Sequence, residues 1–287
     1  MRVVVTGPGG FVGGHLRVEL GEAFVPYEDD VLDAAALREA VRGADAVVHL
    51  AAESSVAASW EDAMRSWRVN VDGTVNVLEA VRAERPEARV LFASTCEVYG
   101  SASRIPTPED ERIAPVSPYA ASKAAAELAC AFAGLDAVVA RGTNHEGPGR
   151  DDRFAVGSWT RQIARLEAEG GGTLLVGDLS AERDIVDVRD VCRAYRLLLD
   201  PSVPAGAYNV ASGKSVKMAE IVDLLAGLAR VPVRVERDES RVRPAEIPRV
   251  SGDPSKLRVA TGWEPEIPLE QTLADTLAAA REMEPVS

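Results

Sequence analysis

The sequence predicts an α/β fold, a Rossmann-like doubly wound parallel sheet with a smaller, discontinuous C-terminal region. Short apolar runs alternate with stretches of helical spacing through the first 140 residues. This alternation is typical of βαβ units, whose parallel sheet is covered by helices on both faces. After Arg141 the chain becomes richer in glycine, proline and charge, which indicates a second region. Right-handed crossovers favour the doubly wound arrangement of the first region.

The predicted elements occur in a regular order along the chain. Strands are expected at residues 3–6, 23–27, 46–50, 90–93 and 137–140, and helices at 11–20, 70–82 and 117–132. Further helices are expected at 188–199 and 216–228, and a further strand at 207–210. We predict a sheet domain at residues 1–142, completed by about 184–212, and a smaller region at 143–183 and 213–287. The smaller region is expected over the carboxyl edge of the sheet, where such sheets bind ligands.

Composition excludes several classes of function. The 287 residues include 32 Lys and Arg against 45 Asp and Glu, a formal net charge of −13. Nucleic acids and anionic membranes are bound by clustered basic residues, so neither partner is expected. Three scattered cysteines form no CxxC pair, which argues against a disulfide framework and a metal site. The N-terminus enters a strand rather than a signal peptide, and no apolar run reaches the roughly 18–20 residues of a membrane span. We therefore expect a cytoplasmic protein.

A glycine-rich turn joins the first predicted strand to the first helix. Gly7, Gly10 and Gly13 are spaced as GxxGxxG. Such a turn lets backbone approach a pyrophosphate, and the helix N-terminus supplies N–H groups and a positive dipole. A plain tight turn is the alternative, but the strand–glycine–helix context favours a dinucleotide.

The residues expected at the adenosine end of that site are acidic. Glu28, Asp29 and Asp30 follow the second strand, and no Lys or Arg occurs between Arg17 and Arg38. Acidic residues suit a ribose diol, whereas the 2′-phosphate of NADP needs a cation, so NAD is favoured and NADP stays possible. The alternative is a solvated acidic turn.

The strongest pattern combines two polar segments. Tyr119 and Lys123 are four residues apart on a predicted helix and therefore share a face. An ammonium beside a phenol is expected to lower the phenol pKa towards that of a general base. Thr95 and Glu97 follow the strand at 90–93, at the same sheet edge. A YxxxK pattern alone is usually structural, but its combination with a glycine turn and a polar strand end favours chemistry.

These segments resemble the extended short-chain dehydrogenase/reductases that act on nucleotide sugars. The likeness covers essentially the whole chain. Segments 141–149, 183–190 and 243–246 are similar to those of GDP-mannose 4,6-dehydratases and, more closely, of GDP-4-keto-6-deoxy-mannose reductases. The window 94–123 looks most like the UDP-N-acetylglucosamine 5,6-dehydratase of the tunicamycin pathway.

The resemblance implies a set of site residues and a homodimer. The catalytic residues it implies are Thr95, Cys96, Glu97, Tyr119 and Lys123. The cofactor-binding residues it implies are Gly7, Gly9, Gly10, Phe11, Val12, Gly13, Asp30, Val31, Leu50, Ala51, Ala52, Asn70, Tyr119 and Lys123. The substrate-binding residues it implies are Ser54, Thr95, Asn144, Arg183, Arg243 and Glu246. Arg183 and Arg243 also suit an anionic diphosphate, although surface salt bridges are the alternative for both.

The reaction expected first is dehydration of a nucleotide-diphosphate hexose such as a GDP- or UDP-sugar. Tyr119 would take the 4-hydroxyl proton, hydride would pass to the nicotinamide, and Glu97 would drive loss of water across C5–C6. Cys96 is interpreted either as the acid or as a small filler. The alternative enzyme is a 4-keto reductase, which needs no C5 base. The adenosine-binding region is shorter than is usual for the enzymes that the chain resembles. A short region suits a reductase, because the cofactor of a reductase must leave at every turnover. A sugar epimerase and a non-catalytic NAD(P)-sensing protein are further alternatives.

Overall fold

Six parallel strands form the main sheet. The computed structural model describes residues 1–242 and 247–283. In chain order the strands are β1 (Val3–Thr6), β2 (Phe24–Tyr27), β3 (Ala46–His49), β4 (Arg89–Thr95), β5 (Ala137–Gly142) and β9 (Gly206–Val210). Their order across the sheet is β2-β1-β3-β4-β5-β9, and every neighbouring pair is parallel. The order reverses between β1 and β3, which places a ligand crevice at the carboxyl ends of these strands.

Helices cover both faces of this sheet. One face carries α1 (Phe11–Leu20) and α8 (Val188–Leu198), and the other carries α2 (Ala34–Val41), α5 (Gly73–Glu84) and α6 (Pro118–Phe132). Leu16 and Val191 belong to the first core, whereas Leu37 and Val77 belong to the second. Short helices α3 (Val56–Glu61) and α4 (Ala63–Trp67) precede a π-helical turn at Arg68–Asp72.

A smaller region lies beyond β5 in the sequence. Its strands are β6 (Asn144–Glu146), β7 (Gly172–Val176), β8 (Glu182–Asp187), β10 (Ser215–Lys217), β11 (Val233–Arg237) and β12 (Arg249–Val250). Its helices are α7 (Ala155–Glu169), α9 (Met218–Leu228) and α11 (Leu269–Met283), whereas α10 (Ser255–Thr261) packs against β9 and the core of the main sheet. β8 pairs with β6, β10 and β12, while β7 pairs with β11. Its apolar cluster includes Trp159, Ile163 and Leu273.

The predicted fold class is confirmed, with three differences in the elements. The helix expected at 216–228 begins at Met218, because Ser215–Lys217 pair with β8 as an antiparallel strand. The helix expected at 70–82 begins at Gly73, after the π-helical turn. Within the segment expected to complete the sheet, α8 and β9 do so, whereas β8 belongs to the smaller sheet. Pairing between strands distant in sequence decided the first and third differences. The domain boundaries themselves stay a prediction.

Local signals place the start of α6 at the sheet edge. Ser117 adopts an extended backbone, and its hydroxyl accepts from the Ala120 N–H at 3.1 Å. Pro118 occupies the first helical turn, where a missing N–H costs nothing. Tyr119 therefore lies in the first turn of α6.

Within the residues that the structure describes, no helix has the length and apolar character needed to cross a membrane.

Candidate active site

A large cleft joins the glycine turn to the start of α6. Its volume is about 1780 Å³, larger than the roughly 300–1,000 Å³ of a typical small-molecule pocket. Its wall includes nearly all the residues expected to bind cofactor or substrate that the structure describes: Gly7, Gly9, Gly10, Phe11, Val12, Gly13, Leu50, Ala51, Ala52, Ser54, Thr95, Cys96, Glu97, Tyr119, Lys123, Asn144 and Arg183. The fold therefore brings both halves of the predicted site to one place.

The glycine turn is shaped for a phosphate group. Gly7 has a φ of 67°, and a Cβ there would lie 2.8 Å from the Ala51 nitrogen. A Cβ on Gly13 would lie 2.5 Å from the Gly7 carbonyl oxygen. No side chain caps the N-terminus of α1 at Gly10, so its first N–H groups face the cleft without a capping oxygen. A dinucleotide pyrophosphate fits this open helix end.

The expected adenosine end forms a smaller pocket beside the turn. This pocket, of about 440 Å³, is lined by Gly7, Pro8, Gly9, Arg17, Tyr27, Glu28, Asp29, Asp30, Val31 and Ala51. The sequence-based preference for NAD depends on the absence of Lys and Arg between Arg17 and Arg38. The structure brings Arg17 itself to the pocket, with its guanidinium carbon 4.8 Å from the centre of the Phe24 ring. The pocket thus holds both carboxylates for a ribose diol and one cation for a phosphate.

Tyr119 and Thr95 form the reacting end of the cleft. Burial and the Glu97 carboxylate raise the pKa of Tyr119, while its hydrogen bond with the Thr95 side chain and the charge of Arg150 lower it. The expected lowering of this pKa by Lys123 is therefore wrong, because the raising causes dominate. Tyr119 is a protonated phenol at neutral pH.

Lys123 is turned towards the strand below it. Its ammonium donates to the Ala93 carbonyl at 2.7 Å and lies 4.6 Å from the centre of the Phe92 ring. Burial lowers the pKa of Lys123 to about 8. Tyr119 and Lys123 do share the cleft-facing side of α6, as the four-residue spacing predicts.

Thr95, Cys96 and Glu97 all line the cleft, but the Cys96 thiol is bonded to the backbone of β5. The Thr95 hydroxyl accepts from the Glu97 N–H at 3.2 Å, which fixes the short turn after β4. The Cys96 thiol instead donates to the Arg141 carbonyl, with an S–O distance of 3.3 Å, and packs among Val98, Tyr99 and other apolar residues. Burial raises its pKa well above the ordinary value. The geometry favours the filler interpretation of Cys96 over the acid.

Asn70 lies behind the site rather than in it. Its side-chain oxygen accepts from the Glu53 N–H at 2.8 Å, and its nitrogen donates to the Ser122 hydroxyl at 2.9 Å. Asn70 therefore ties the loop after β3 to α6, which makes it a positioning residue. His49 is similarly structural, since its ring nitrogens bond to the hydroxyls of Thr6 and Thr74 at 2.7 and 3.1 Å.

The substrate end of the cleft is only partly described. Asn144 and Arg183 line it, whereas Arg243 and Glu246 lie outside the described residues. Three arginines that the sequence did not single out, Arg150, Arg153 and Arg241, also line the cleft. Arg150 directly follows the Gly-Pro-Gly turn at 147–149, so a search for cations just beyond the glycine-rich segment at 141–149 would have found it.

Comparisons with known proteins identify relatives over the full length of the chain. The family described as GDP-mannose 4,6 dehydratase matches residues 15–276. The GDP-6-deoxy-D-mannose reductase of Pseudomonas aeruginosa is 38% identical over 292 residues, which cover 96% of each chain. The GDP-mannose 4,6-dehydratase of Yersinia enterocolitica is 29% identical, covering 91% of this chain and 80% of its own.

Two solved structures also match this chain over nearly its whole length. RMD from Pseudomonas aeruginosa, complexed with NADPH, superposes with a TM-score of 0.91 and 36% identity over 99% of each chain. MoeE5, in complex with UDP-glucose and NAD, has a TM-score of 0.88 and 26% identity over 99% of each chain.

Proposed function

This chain belongs to the GDP-mannose 4,6 dehydratase family of nucleotide-sugar enzymes, and we propose that it is an NAD(P)H-dependent reductase of a nucleoside-diphosphate 4-keto-hexose. The resemblance to extended short-chain dehydrogenase/reductases is confirmed by these relatives. The observation that carries the proposal is the pair of hydroxyl side chains, Thr95 and Tyr119, that line the same cleft as the glycine turn. Two adjacent hydroxyls at this place suit a single sugar oxygen.

The protonation state of Tyr119 is compatible with the reductive direction. When bound, a reduced nicotinamide cofactor supplies the hydride. The chain supplies the proton: the phenol of Tyr119 keeps its proton because burial and Glu97 raise its pKa. A group that is protonated at rest is suited to donate to a carbonyl oxygen as it gains negative charge. The Thr95 hydroxyl is placed to donate a second hydrogen bond to the same oxygen.

Chain length and the adenosine pocket favour the same direction. The Pseudomonas reductase aligns over 96% of both chains, whereas this chain covers 80% and 68% of two dehydratases, those of Yersinia enterocolitica and Arabidopsis thaliana. Only residues 28–33 separate β2 from α2, and Glu28, Asp29 and Asp30 are exposed. An open adenosine pocket suits a cofactor that leaves after each turnover.

Dehydration, the reaction expected first from the sequence, is the second candidate. The Glu97 carboxylate lies close enough to Tyr119 to raise its pKa, and a carboxylate beside the reacting carbon is what removal of the C5 proton needs. A reductase has no step that requires this carboxylate. Glu97 therefore distinguishes the two reactions.

Mass spectrometry of two parallel reactions tests the proposal. With NADPH and a GDP-4-keto-6-deoxy-hexose, we expect consumption of cofactor and a product heavier by two hydrogens, and the Glu97→Gln variant should retain this reaction. With GDP-mannose and NAD or NADP, we expect no change. Loss of one water from GDP-mannose without net cofactor consumption, abolished in Glu97→Gln, would establish the dehydratase instead. Failure of both reactions would refute both candidates.

We propose that the cofactor is NADP(H) or NAD(H), bound across the glycine turn. The named structural neighbours contain NADPH or NAD. The adenosine pocket offers Asp29 and Asp30 to a ribose diol and Arg17 to a 2′-phosphate. Gly7, Gly10 and Gly13 would hold the pyrophosphate through backbone N–H groups and the end of α1.

Gly13→Ala is expected to weaken NADPH binding at least about tenfold, a free-energy change of about 1.4 kcal/mol. The new Cβ would lie 2.5 Å from the Gly7 carbonyl oxygen and 2.7 Å from that of Pro8, so the turn must move. Gly14→Ala is the matched control, since a Cβ there meets no heavy atom within 4 Å. Alanine at position 14 should stabilise α1 by up to about 1 kcal/mol. Fluorescence titration with NADPH measures both, and equal affinities would contradict this account of the turn.

We propose a homodimer formed through helices α3 to α6. These helices expose large apolar side chains, namely Trp60, Met64, Trp67, Val75, Leu128 and Phe132. An apolar patch of this kind is typical of a protein interface.

The net charge of −13 supports a protein without a nucleic-acid or membrane-surface partner, and the three buried free cysteines support a cytoplasmic location.

Phe132→Glu is expected to shift the protein from dimer to monomer in sedimentation velocity. Phe132 is 85% exposed at the end of α6, and a charge there would be buried in the proposed interface. Val259→Glu is the control, because Val259 is 88% exposed on α10, away from the proposed interface helices. The interface proposal fails if both variants sediment as the wild type does.

A further inference from the structure

A buried ion pair lies in the wall of the cleft. Arg150 and Glu146 have side chains that are 12% and 4% exposed, and the Arg150 Nε lies 3.3 Å from the Glu146 Oε2. The Arg150 guanidinium carbon is 3.7 Å from the centre of the Phe154 ring and 4.9 Å from that of Phe11. Phe11 is the first residue of α1. The two rings therefore hold a cation beside the helix end that follows the glycine turn.

The pair is incomplete as it stands. Among residues 1–242 and 247–283, neither the Glu146 Oε2 nor the Arg150 Nε makes a hydrogen bond of good geometry, although both atoms are buried. Burial raises the pKa of Glu146 to about 7, against the opposing charge of Arg150. These two atoms are the ones that approach each other at 3.3 Å, and Arg150 also lines the cleft. An anionic acceptor that met its guanidinium there would offset the cost of burying that charge. The cleft is the side from which such an acceptor can come.

We propose that Arg150 is a diphosphate-binding residue, and that Glu146 positions its guanidinium between the rings of Phe11 and Phe154. A guanidinium presents paired N–H donors that match two phosphate oxygens, and it forms stronger bonds to an anion than to neutral groups. The choice of ligand rests on the proposed function, which brings two diphosphates into this cleft. One belongs to the cofactor and the other to the nucleotide sugar.

The contact between Arg150 and Phe11 favours the diphosphate of the cofactor, rather than that of the nucleotide sugar, as the ligand of Arg150. The N–H groups at the start of α1 are the ones that a cofactor pyrophosphate meets, and Arg150 lies against the ring of the residue that carries the first of them. The charge of Arg150 also reaches Tyr119. Arg150 thus lies between the glycine turn and the reacting hydroxyls, where the nicotinamide half of the cofactor would be expected.

Calorimetric titration with NADPH and, separately, with GDP tests the proposal without any turnover. Arg150→Gln is expected to weaken binding of one probe at least about tenfold, the loss of one charge-assisted contact of about 1.4 kcal/mol or more. Weaker NADPH binding identifies the cofactor as the source, and weaker GDP binding identifies the nucleotide sugar. Arg161→Gln is the matched control, since Arg161 lies nearby in α7 and pairs with Asp152. Unchanged affinity for both probes in Arg150→Gln would overturn the proposal.

Two further variants separate anion binding from a merely structural role. Arg150→Lys keeps the charge but loses the paired donors, so it should bind more weakly than wild type and more tightly than Arg150→Gln. Glu146→Gln keeps a side-chain oxygen that can still position Arg150 but removes the negative charge that competes with a phosphate, so its affinity should equal or exceed that of wild type. Equal weakening in Glu146→Gln and Arg150→Gln would contradict the proposal, because the pair would then act only by supporting the wall. A wild-type protein that binds neither probe would instead count against the proposed function.

Discussion

Replacing Tyr119 with phenylalanine is expected to lower kcat for keto-sugar reduction by about 10²–10⁴-fold, the usual contribution of a positioned proton donor. Phenylalanine keeps the ring but removes the hydroxyl that lines the cleft together with the Thr95 side chain. Water is a poor substitute because it is not held in position at the reacting end of the cleft, where Tyr119 is half-buried. Steady-state kinetics with NADPH and the keto sugar measure the loss, and NADPH titration should show that cofactor binding is retained.

Tyr208→Phe is the matched control for this experiment. The Tyr208 hydroxyl donates to the Pro204 carbonyl at 2.8 Å on β9, and it takes no part in the cleft described above. This variant should keep kcat and lose only about 1 kcal/mol of stability, the ordinary net value of one hydrogen bond. If Tyr119→Phe retained wild-type kcat, the proton would have to come from another group and the proposed role of Tyr119 would be lost.

Replacing Arg141 with methionine is expected to reduce the free energy of unfolding by about 3–5 kcal/mol, as for other broken buried ion pairs. Arg141 and Glu127 have side chains that are 7% and 6% exposed, with an N–O distance of 2.6 Å. A second Arg141 nitrogen donates to the Tyr99 hydroxyl at 2.9 Å. Methionine would fill much of the volume but leave the Glu127 carboxylate buried beside Ser94 without its cation. Urea denaturation measures the change.

A surface pair provides the comparison for that measurement. Arg196 and Glu19 are 44% and 28% exposed, so Arg196→Met should cost no more than about 1 kcal/mol. Equal losses in the Arg141 and Arg196 variants would show that the buried network contributes nothing beyond an ordinary surface contact. The difference between the two variants is therefore the informative quantity.

Periodicity and glycine spacing predicted most of the main sheet, because these signals are local. The apolar runs of β1 and β3 and the GxxGxxG turn each depend on a few consecutive residues. The cap at Ser117 is equally local, and it fixes where Tyr119 and Lys123 lie on α6. Local spacing predicts a helix from residue 216, because only pairing with β8, about 30 residues away in sequence, makes Ser215–Lys217 the strand β10.

The amino-acid sequence by itself determined the α/β class, the glycine turn, the acidic adenosine pocket and the pairing of Tyr119 with a polar strand end. Only the tertiary structure decided the electrostatics of the site. Burial and Glu97, rather than Lys123, dominate the pKa of Tyr119, and the Cys96 thiol turns towards Arg141. Packing likewise brings Arg17 to the adenosine pocket and Arg150 to Phe11. Such effects depend on desolvation and on distances between residues far apart in the chain, and local spacing carries no information about either.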